Sequence, residues 1–137
     1  MNTLQNAYAT GTINVSRVVV ADTTHRNGAK QATAATAPAL GIASNAGRVR
    51  PDPNYTQDQC DEAAIVTETI GIYGPGSVGV DAYCNATWAA GDLLMPDSDG
   101  KLVVCTATKF YIARAQSAGV VNALCSVDVL SPAALPA

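Results

Sequence analysis

The sequence predicts an all-β chain: a compact single domain folded as a β-sandwich or barrel, with hairpins and an internal pseudo-repeat. β-branched or alternating apolar segments recur along the chain, as in residues 13–22 and 119–130. Turn residues punctuate these segments. No segment sustains the 3.6-residue periodicity of an amphipathic helix. The 137 residues are enough for one hydrophobic core.

Two hairpins are predicted from turn chemistry. The run "INVSRVVVAD" leads into Asn27-Gly28, and Asn-Gly between apolar runs is the strongest short hairpin signal. Further on, "DSDG", residues 97–100, lies between the apolar runs "LLM" and "LVV". Its aspartates can bond to their own backbone and its glycine accepts a positive φ, so a second hairpin turn is expected.

The same "DSDG" turn has to be weighed as a calcium loop. If Asp97 is the first ligand position, Asp99 falls correctly on the third. The glycine then arrives at position four instead of six, and Thr108 stands where the loop needs a bidentate glutamate. The spacing therefore predicts a turn and no metal site.

The four cysteines, Cys60, Cys84, Cys105 and Cys125, contain no close pair of the kind that zinc sites use. The N-terminus lacks the basic and apolar regions of a signal peptide, so cytosolic synthesis is expected, and this disfavours disulfides. Cys105 and Cys125 lie inside strand-like runs and are expected to be buried free thiols.

An internal sequence repeat and the positions of turn residues predict how the chain is organised. Residues 28–47 and 100–119 match without gaps at an offset of 72, including Gly28 with Gly100. The predicted segments are a flexible N-terminal arm over 1–10, a β domain over 11–130 with pseudo-repeats at about 11–47 and 89–130, a long exposed loop at 47–62, and a C-terminal tail over 131–137.

Composition excludes several classes of function. The net charge is −3, with 8 Lys+Arg against 11 Asp+Glu, and without a basic run no nucleic-acid partner is expected. No apolar run approaches the roughly 20 residues of a membrane span. Charged residues make up only 14% of the chain, which leaves two alternatives open: a surface covered in an assembly, or a neutral surface soluble through hydrogen bonding.

Catalytic chemistry is not evident in the sequence. A Ser/His/Asp or Cys/His arrangement would have to use His25, the one histidine, which stands beside the Asn-Gly turn. Neither a nucleophile elbow nor a phosphate-binding loop is present. No enzyme activity and no cofactor are expected.

The second half runs as an Ala90-Gly91-Asp92 turn, a strand, an Asp99-Gly100 turn, a strand, "YIARA", an A-G turn and an alternating strand. This order resembles the head-decoration (capsid cement) proteins of tailed bacteriophages, well over residues 77–130 and more loosely over 11–47. The resemblance implies an all-β virion protein, often trimeric, made in the host cytoplasm. It would bind the major capsid protein on the outer capsid surface and stabilise the shell.

The rival hypothesis is a carbohydrate- or receptor-binding β module, for which Trp88 and Tyr83 would be the aromatic platform. For either function, Arg and aromatic side chains favour docking. The residues expected at a capsid or protomer interface lie in the arm, in the 47–62 loop and near the second repeat: Leu4, Tyr8, Arg48, Arg50, Tyr55 and Trp88.

Overall fold

The structure, a computed structural model, describes residues 4–46, 54 and 61–136, and its elements are all strands. The all-β prediction is therefore confirmed. The strands are β1 (Leu4–Ala9), β2 (Ile13–Asn14), β3 (Val18–Asp22), β4 (Gly28–Gln31), β5 (Gly41–Ala43), β6 (Glu62–Ala64), β7 (Thr69–Tyr73), β8 (Val80–Tyr83), β9 (Leu93–Pro96), β10 (Leu102–Val104), β11 (Phe110–Ala115) and β12 (Leu124–Ala134).

The strands form two main sheets. β1, β4, β3, β5 and β7 make a closed barrel in that order, and β10, β9, β11, β12 and β8 make a five-stranded sheet. β2 and β6 form a separate two-stranded sheet. We call β1–β7 the N-terminal repeat and β8–β12 the C-terminal repeat, because the two share one strand order: β8, β9, β10, β11 and β12 occupy the places of β1, β3, β4, β5 and β7.

The repeats also agree in the register of their strand pairs. In the N-terminal repeat Val19 pairs with Gly41, and in the C-terminal repeat Leu94 pairs with Ala113. Three further pairs have counterparts: Ala21–Ala29 with Pro96–Leu102, Ala7–Ile70 with Ala82–Cys125, and Ala43–Ile72 with Ala115–Val127. The bridges Cys84–Leu102 and Trp88–Gly119 stand where the N-terminal repeat has Ala9–Ala29 and Ile13–Ala64.

The offset of 72 read from the sequence holds for part of this correspondence. It relates Gly41 to Ala113, but Ala29 corresponds to Leu102 at an offset of 73. The sequence match at Gly28 and Gly100 aligned two turn residues that are not equivalent in the strand ladder. The cause is turn length, since the first hairpin turn is longer than the second.

Both predicted hairpins are present. β3 and β4 pair antiparallel on either side of the Asn27-Gly28 turn, and Asn27 has a positive φ of 56°. β9 and β10 pair antiparallel around the second turn, where Gly100 has a φ of 75°. A Cβ on Gly100 would also lie 3.0 Å from Gln31 Cγ, so glycine is needed there for close packing as well as for its φ.

Two hydrophobic clusters hold the molecule together. The smaller cluster fills the barrel and consists mainly of alanine, isoleucine and valine: Ala7, Ala9, Ile13, Val19, Ala29, Ala43, Ala64, Ile70 and Ile72. The larger cluster fills the C-terminal repeat and extends to Val18 and Ile42 of the N-terminal repeat. The two repeats therefore share a core.

A six-residue connector, Gly74 to Gly79, joins the repeats. Its Ser77 is fully buried. Gly76 N–H donates to the carbonyl of Val129 (2.9 Å), and Val129 N–H donates to the carbonyl of Ser77 (2.8 Å). The connector is thereby held against β12.

The predicted flexible arm over residues 1–10 is wrong where the structure describes it. Leu4–Ala9 form β1, which pairs with β7 over Leu4–Tyr8 and with β4 at Tyr8 and Ala9. The sequence signal was weak because β1 buries only small side chains, Ala7 and Ala9. Backbone hydrogen bonding, which composition does not reveal, fixes this strand.

The predicted tail over 131–137 is also wrong at its start. β12 runs on to Ala134, which pairs with Phe110, and Ala133 pairs with Tyr111. Pro132 is tolerated because β8, on the other side of β12, pairs only with Leu124–Val127 among the described residues.

Candidate interaction surfaces

The aspartate that was weighed as a calcium ligand holds the second hairpin turn. Asp97 Oδ1 accepts hydrogen bonds from the backbone N–H of Asp99 (2.8 Å) and of Lys101 (3.0 Å). Asn85 Nδ2 donates to Asp97 Oδ2. The carboxylate therefore connects the turn to the residue that follows Cys84 through three protein donors.

Asp22 does the same in the N-terminal repeat. Thr24 donates its backbone N–H (3.0 Å) and its hydroxyl (2.7 Å) to Asp22 Oδ1, and the Thr10 hydroxyl donates to Oδ2 (2.6 Å). These hydrogen bonds, with that of Thr10 the most important, lower the pKa of Asp22 to about 2. Thr10 and Asn85 are equivalent positions, since the N–H of each donates to the partner carbonyl on β4 or β10. We call Asp22 and Asp97 the turn aspartates.

No cluster suited to a metal was found in the described residues. Over 4–46, 54 and 61–136, no three His, Cys, Asp or Glu side chains lie together as possible ligands. In the same part of the chain, no helix is long and apolar enough to cross a membrane.

The predicted interface residues on β1 lie on its outer face. Leu4 is 53% exposed, and its side chain covers Gly71. Tyr8 is half-buried and stacks on His25, with ring centroids 3.8 Å apart and planes 6° from parallel. The predicted interface residues Arg48, Arg50 and Tyr55, and most of the 47–62 loop, lie outside the described residues.

The aromatic platform that the carbohydrate-binding hypothesis requires is occupied within the protein. Trp88 is only 7% exposed, and its Nε1 donates to the carbonyl of Ser117 (3.1 Å). A Cβ on Gly119 would lie 2.4 Å from the Trp88 ring, so the ring packs directly on that backbone. Tyr83 is covered by Arg17, whose guanidinium carbon lies 4.2 Å from the ring centroid. Trp88 is a core residue, and its assignment to an interface is wrong.

The cysteine prediction is half right. Cys105 is buried and free, and burial raises the pKa of its thiol. Cys125 is not free, because it forms a disulfide with Cys84. β8 and β12 are neighbours, and the pair Ala82–Cys125 places the two sulfurs diagonally across the strands on the buried side of the sheet.

The boundary between the repeats is a polar and apolar interface that sequence reasoning missed. Gln31 Nε2 donates to the carbonyl of Asp99 (2.8 Å), and Val18 N–H donates to the carbonyl of Gly100 (2.9 Å). Asn45 Nδ2 donates to Asp81 Oδ2 (3.1 Å), while Arg17 lies over Tyr83. Burial lowers the pKa of Arg17, and nearby Tyr83, Asp61, Asp97 and Asp99 act in the opposite direction.

A group of exposed large apolar residues lies in the turn before β12 and at the start of that strand. Val120 is 61% exposed, Val121 is 45% exposed and Leu124 is 50% exposed. We call residues 119–124 the apolar tip. Its backbone is held firmly, since Gly119 N–H donates to the carbonyl of Trp88 (3.0 Å) and Asn122 N–H donates to that of Cys84 (2.8 Å). No charged residue occurs between Arg114 and Asp128.

The comparisons with known proteins add one finding. No protein-family model and no curated protein matches this sequence. A solved structure that is similar is the head fiber gp8.5 N base of bacteriophage phi29, with a TM-score of 0.54 and 13% sequence identity over 94% of each chain. At this identity the likeness shows a shared fold, and it extends over nearly the whole length of both chains.

Proposed function

We propose that this protein is a structural component of a bacteriophage virion that binds the outer surface of the capsid and stabilises the shell. The observation that carries the proposal is the shared fold, over 94% of each chain, with a protein whose description places it at a phage head. The order of turns and strands in residues 77–130, which resembles that of capsid cement proteins, supports the same proposal. No enzyme activity is proposed.

The apolar tip is the surface best suited to grip a shell. It presents three large apolar side chains on a backbone that Trp88 and Cys84 hold in place. A rigid apolar contact loses little conformational entropy when it binds. Leu4 and Tyr8 on β1, with Arg48, Arg50 and Tyr55 in the 47–62 loop, remain proposed contacts to the capsid or to another protomer, and a trimer is the proposed oligomer.

Stabilisation would follow from mass action. A protein that binds only the assembled, expanded shell adds its binding free energy to the stability of that shell. Several weak sites on one oligomer would bind together with a much higher apparent affinity than each site alone. No chemical step is required.

The test uses expanded particles that lack the protein. Purified protein should cosediment with them and raise the temperature at which they release their DNA. Val120→Asp together with Val121→Asp should abolish cosedimentation, because a charge on the tip would have to be desolvated. The matched control is Val66→Asp, at a 52% exposed valine in another turn, which should bind as the unmodified protein does.

Two outcomes would contradict parts of this proposal. Unchanged binding by the tip variant would remove the tip from the contact, and Arg48→Ala with Arg50→Ala would then test the loop. Absence of binding by the unmodified protein, to expanded and unexpanded particles alike, would overturn the shell-binding function itself. The rival carbohydrate-binding function has no observation in its favour, since Trp88 is buried and Tyr83 is covered by Arg17.

A further inference from the structure

The contact between the two repeats joins different surfaces of the same fold. The N-terminal repeat contributes Arg17, Val18 and Gln31, which we call part of its sheet face. The C-terminal repeat contributes Tyr83 of β8 and the turn at Asp99-Gly100, which we call its turn face. A contact between two different surfaces is heterologous, and within residues 4–46, 54 and 61–136 it leaves one copy of each surface unused.

Strand register identifies the two unused surfaces. Val18 pairs with Ile42 as Leu93 pairs with Arg114, so Leu93 takes the place of Val18. Ala43 N–H donates to the carbonyl of Arg17 as Ala115 N–H donates to that of Asp92, so Asp92 takes the place of Arg17. The unused sheet face belongs to the C-terminal repeat and consists of Asp92, Leu93, Met95, Val103 and Arg114.

The unused turn face belongs to the N-terminal repeat. Tyr8 pairs with Thr69 as Tyr83 pairs with Leu124, so Tyr8 takes the place of Tyr83. The turn that contains His25 and Arg26 takes the place of the turn that contains Asp99. His25 and Arg26 are exposed, while Tyr8 is half-buried and has the ring of His25 stacked on it.

At two positions the charges on the unused surfaces are exchanged relative to the internal contact. Inside the chain, a cation on the sheet face, Arg17, approaches the acidic turn at Asp97 and Asp99. On the unused pair, the sheet face carries Asp92 and Arg114, and the turn carries Arg26 beside His25 together with Asp22, the equivalent of Asp97. Asp92 in place of Arg17, and Arg26 in the turn that replaces that of Asp99, form a pair of reversed sign, and Arg114 and Asp22 offer a second pair of opposite charges.

Apolar character continues on the unused sheet face. Its apolar residues are half-buried, so each keeps part of its side chain accessible among the described residues: Leu93, Met95 and Val103. The corresponding residues of the N-terminal repeat include Val18 and Val20, which pack in or against the larger core cluster. Arg114 replaces Ile42 at the centre, which suits a surface that also has to remain soluble.

We propose that copies of this chain associate head to tail, with the sheet face of the C-terminal repeat of one copy bound to the turn face of the N-terminal repeat of the next. Asp92 would then lie at His25 and Arg26 of the neighbour, as Arg17 lies at the acidic turn within the chain. A heterologous contact of this kind closes into a ring when its rotation permits, and the repeats would alternate around that ring. The inference specifies the oligomer assumed in the proposed function, but it is tested without particles.

The experiment measures the mass of the purified protein by light scattering across a range of concentrations. The unmodified chain should exceed 14.0 kDa, the mass of one copy. Asp92→Arg and Arg26→Asp should each weaken association by about tenfold or more, because each places like charges face to face. The double variant, Asp92→Arg with Arg26→Asp, should recover most of the lost association, since the charges match again.

Controls separate loss of contact from loss of fold. Leu93→Asp should prevent association, while Val66→Asp, outside both faces, should leave it unchanged. Far-UV circular dichroism identifies any variant that fails to fold, and Arg26 is exposed, so its variant carries little risk of that. A monomer at all concentrations, or a double variant no better than the single ones, would overturn the proposal. If a monomer binds particles, the proposed shell-binding function is retained and only the head-to-tail association is rejected.

Discussion

The two repeats share a strand order and register but close their sheets by different means. In the N-terminal repeat, β1 pairs with β4 at two positions, Tyr8–Gly28 and Ala9–Ala29. In the C-terminal repeat the corresponding closure is the single bridge Cys84–Leu102, and Cys84 is also bound to Cys125. The disulfide does not replace the shorter β8–β10 ladder, because it ties Cys84 to β12, which pairs with β8 on its other side. The two repeats therefore share the register of their strand pairs, while the interactions that stabilise this register differ.

The turn aspartates show the same principle in polar form. Asp22 is held by two threonine hydroxyls and Asp97 by an asparagine amide, yet each connects its hairpin turn to the same neighbouring position. A carboxylate at this point satisfies backbone donors that would otherwise lack partners in a tight turn. Asp97, which was weighed as a calcium ligand, is therefore one of two equivalent turn aspartates.

Removing β1 should have the largest effect on the N-terminal repeat. Deleting residues 2–9 takes away the strand that closes the barrel between β4 and β7, and it exposes the edges of both. The N-terminal repeat should not fold, which circular dichroism and thermal melting would record as a large loss of β signal and cooperativity. A truncated protein with an unchanged melting temperature would show that β1 is dispensable and that the barrel closes without it.

Removing the disulfide should destabilise the C-terminal repeat next most strongly. Cys84 and Cys125 are separated by 41 residues, and a bond closing such a loop typically contributes about 2–4 kcal/mol to the free energy of unfolding. Cys84→Ala with Cys125→Ala should lower stability by that order in denaturant titrations.

Two controls accompany the disulfide prediction. Cys105→Ala should have a smaller effect, because Cys105 is not cross-linked. Alkylation of denatured, unreduced protein should label Cys105 but neither Cys84 nor Cys125. Labelling of Cys84 and Cys125 would show that the disulfide is absent in solution.

A substitution at Gly119 would test the bridge to Trp88, which corresponds to Ile13–Ala64 in the other repeat. Gly119→Ala places a methyl group 2.4 Å from the Trp88 ring, so the ring has to move. Overpacking of this kind costs about 1–3 kcal/mol. Ala64→Gly is the reciprocal variant, and denaturant unfolding of both would compare the positions. An unaffected Gly119→Ala variant would show that the apolar tip is loosely held.

The smallest predicted effect concerns acid. Because the folded pKa of Asp22 is lowered from 3.8 to about 2, its hydrogen bonds add stability above the upper value, and that stability is lost as the pH falls through the lower one. Asp22→Asn should flatten the dependence of the melting temperature on pH in this window. Thr10→Val removes the most important cause of the shift and should raise the pKa of Asp22 in an NMR titration. An Asp22 that titrates at its ordinary value in the unmodified protein would contradict the hydrogen bonding described.

Local chemistry in the sequence predicted what is local in the fold. Both hairpins follow from a few turn residues, and the repeat was inferred from a gapless match at an offset of 72 that holds for only part of the strand ladder. Contacts between distant segments were harder. The Cys84–Cys125 bond depends on which strands become neighbours, and β1 was missed because its backbone, and not its small side chains, holds it in place.

For the candidate surfaces too, contacts between distant segments were harder to predict than local features. Leu4 and Tyr8 lie on the outer face of β1, and their contact with a capsid or a protomer stays a prediction. Trp88 was not recognisable as buried, since its cover, the Gly119 backbone, comes from 31 residues further on. The two unused faces were invisible to sequence reasoning. They are defined by equivalence between strands whose alignment the unequal hairpin turns obscure.

The short connector between the repeats has a kinetic and thermodynamic consequence. Because six residues, Gly74 to Gly79, tether one repeat to the other, the internal contact forms at an effective concentration of about millimolar, whatever the protein concentration. Contacts of modest intrinsic strength are then nearly always made within a chain. The same kind of contact between chains would respond to the number of copies present, so dilution would separate molecules long before it separated repeats.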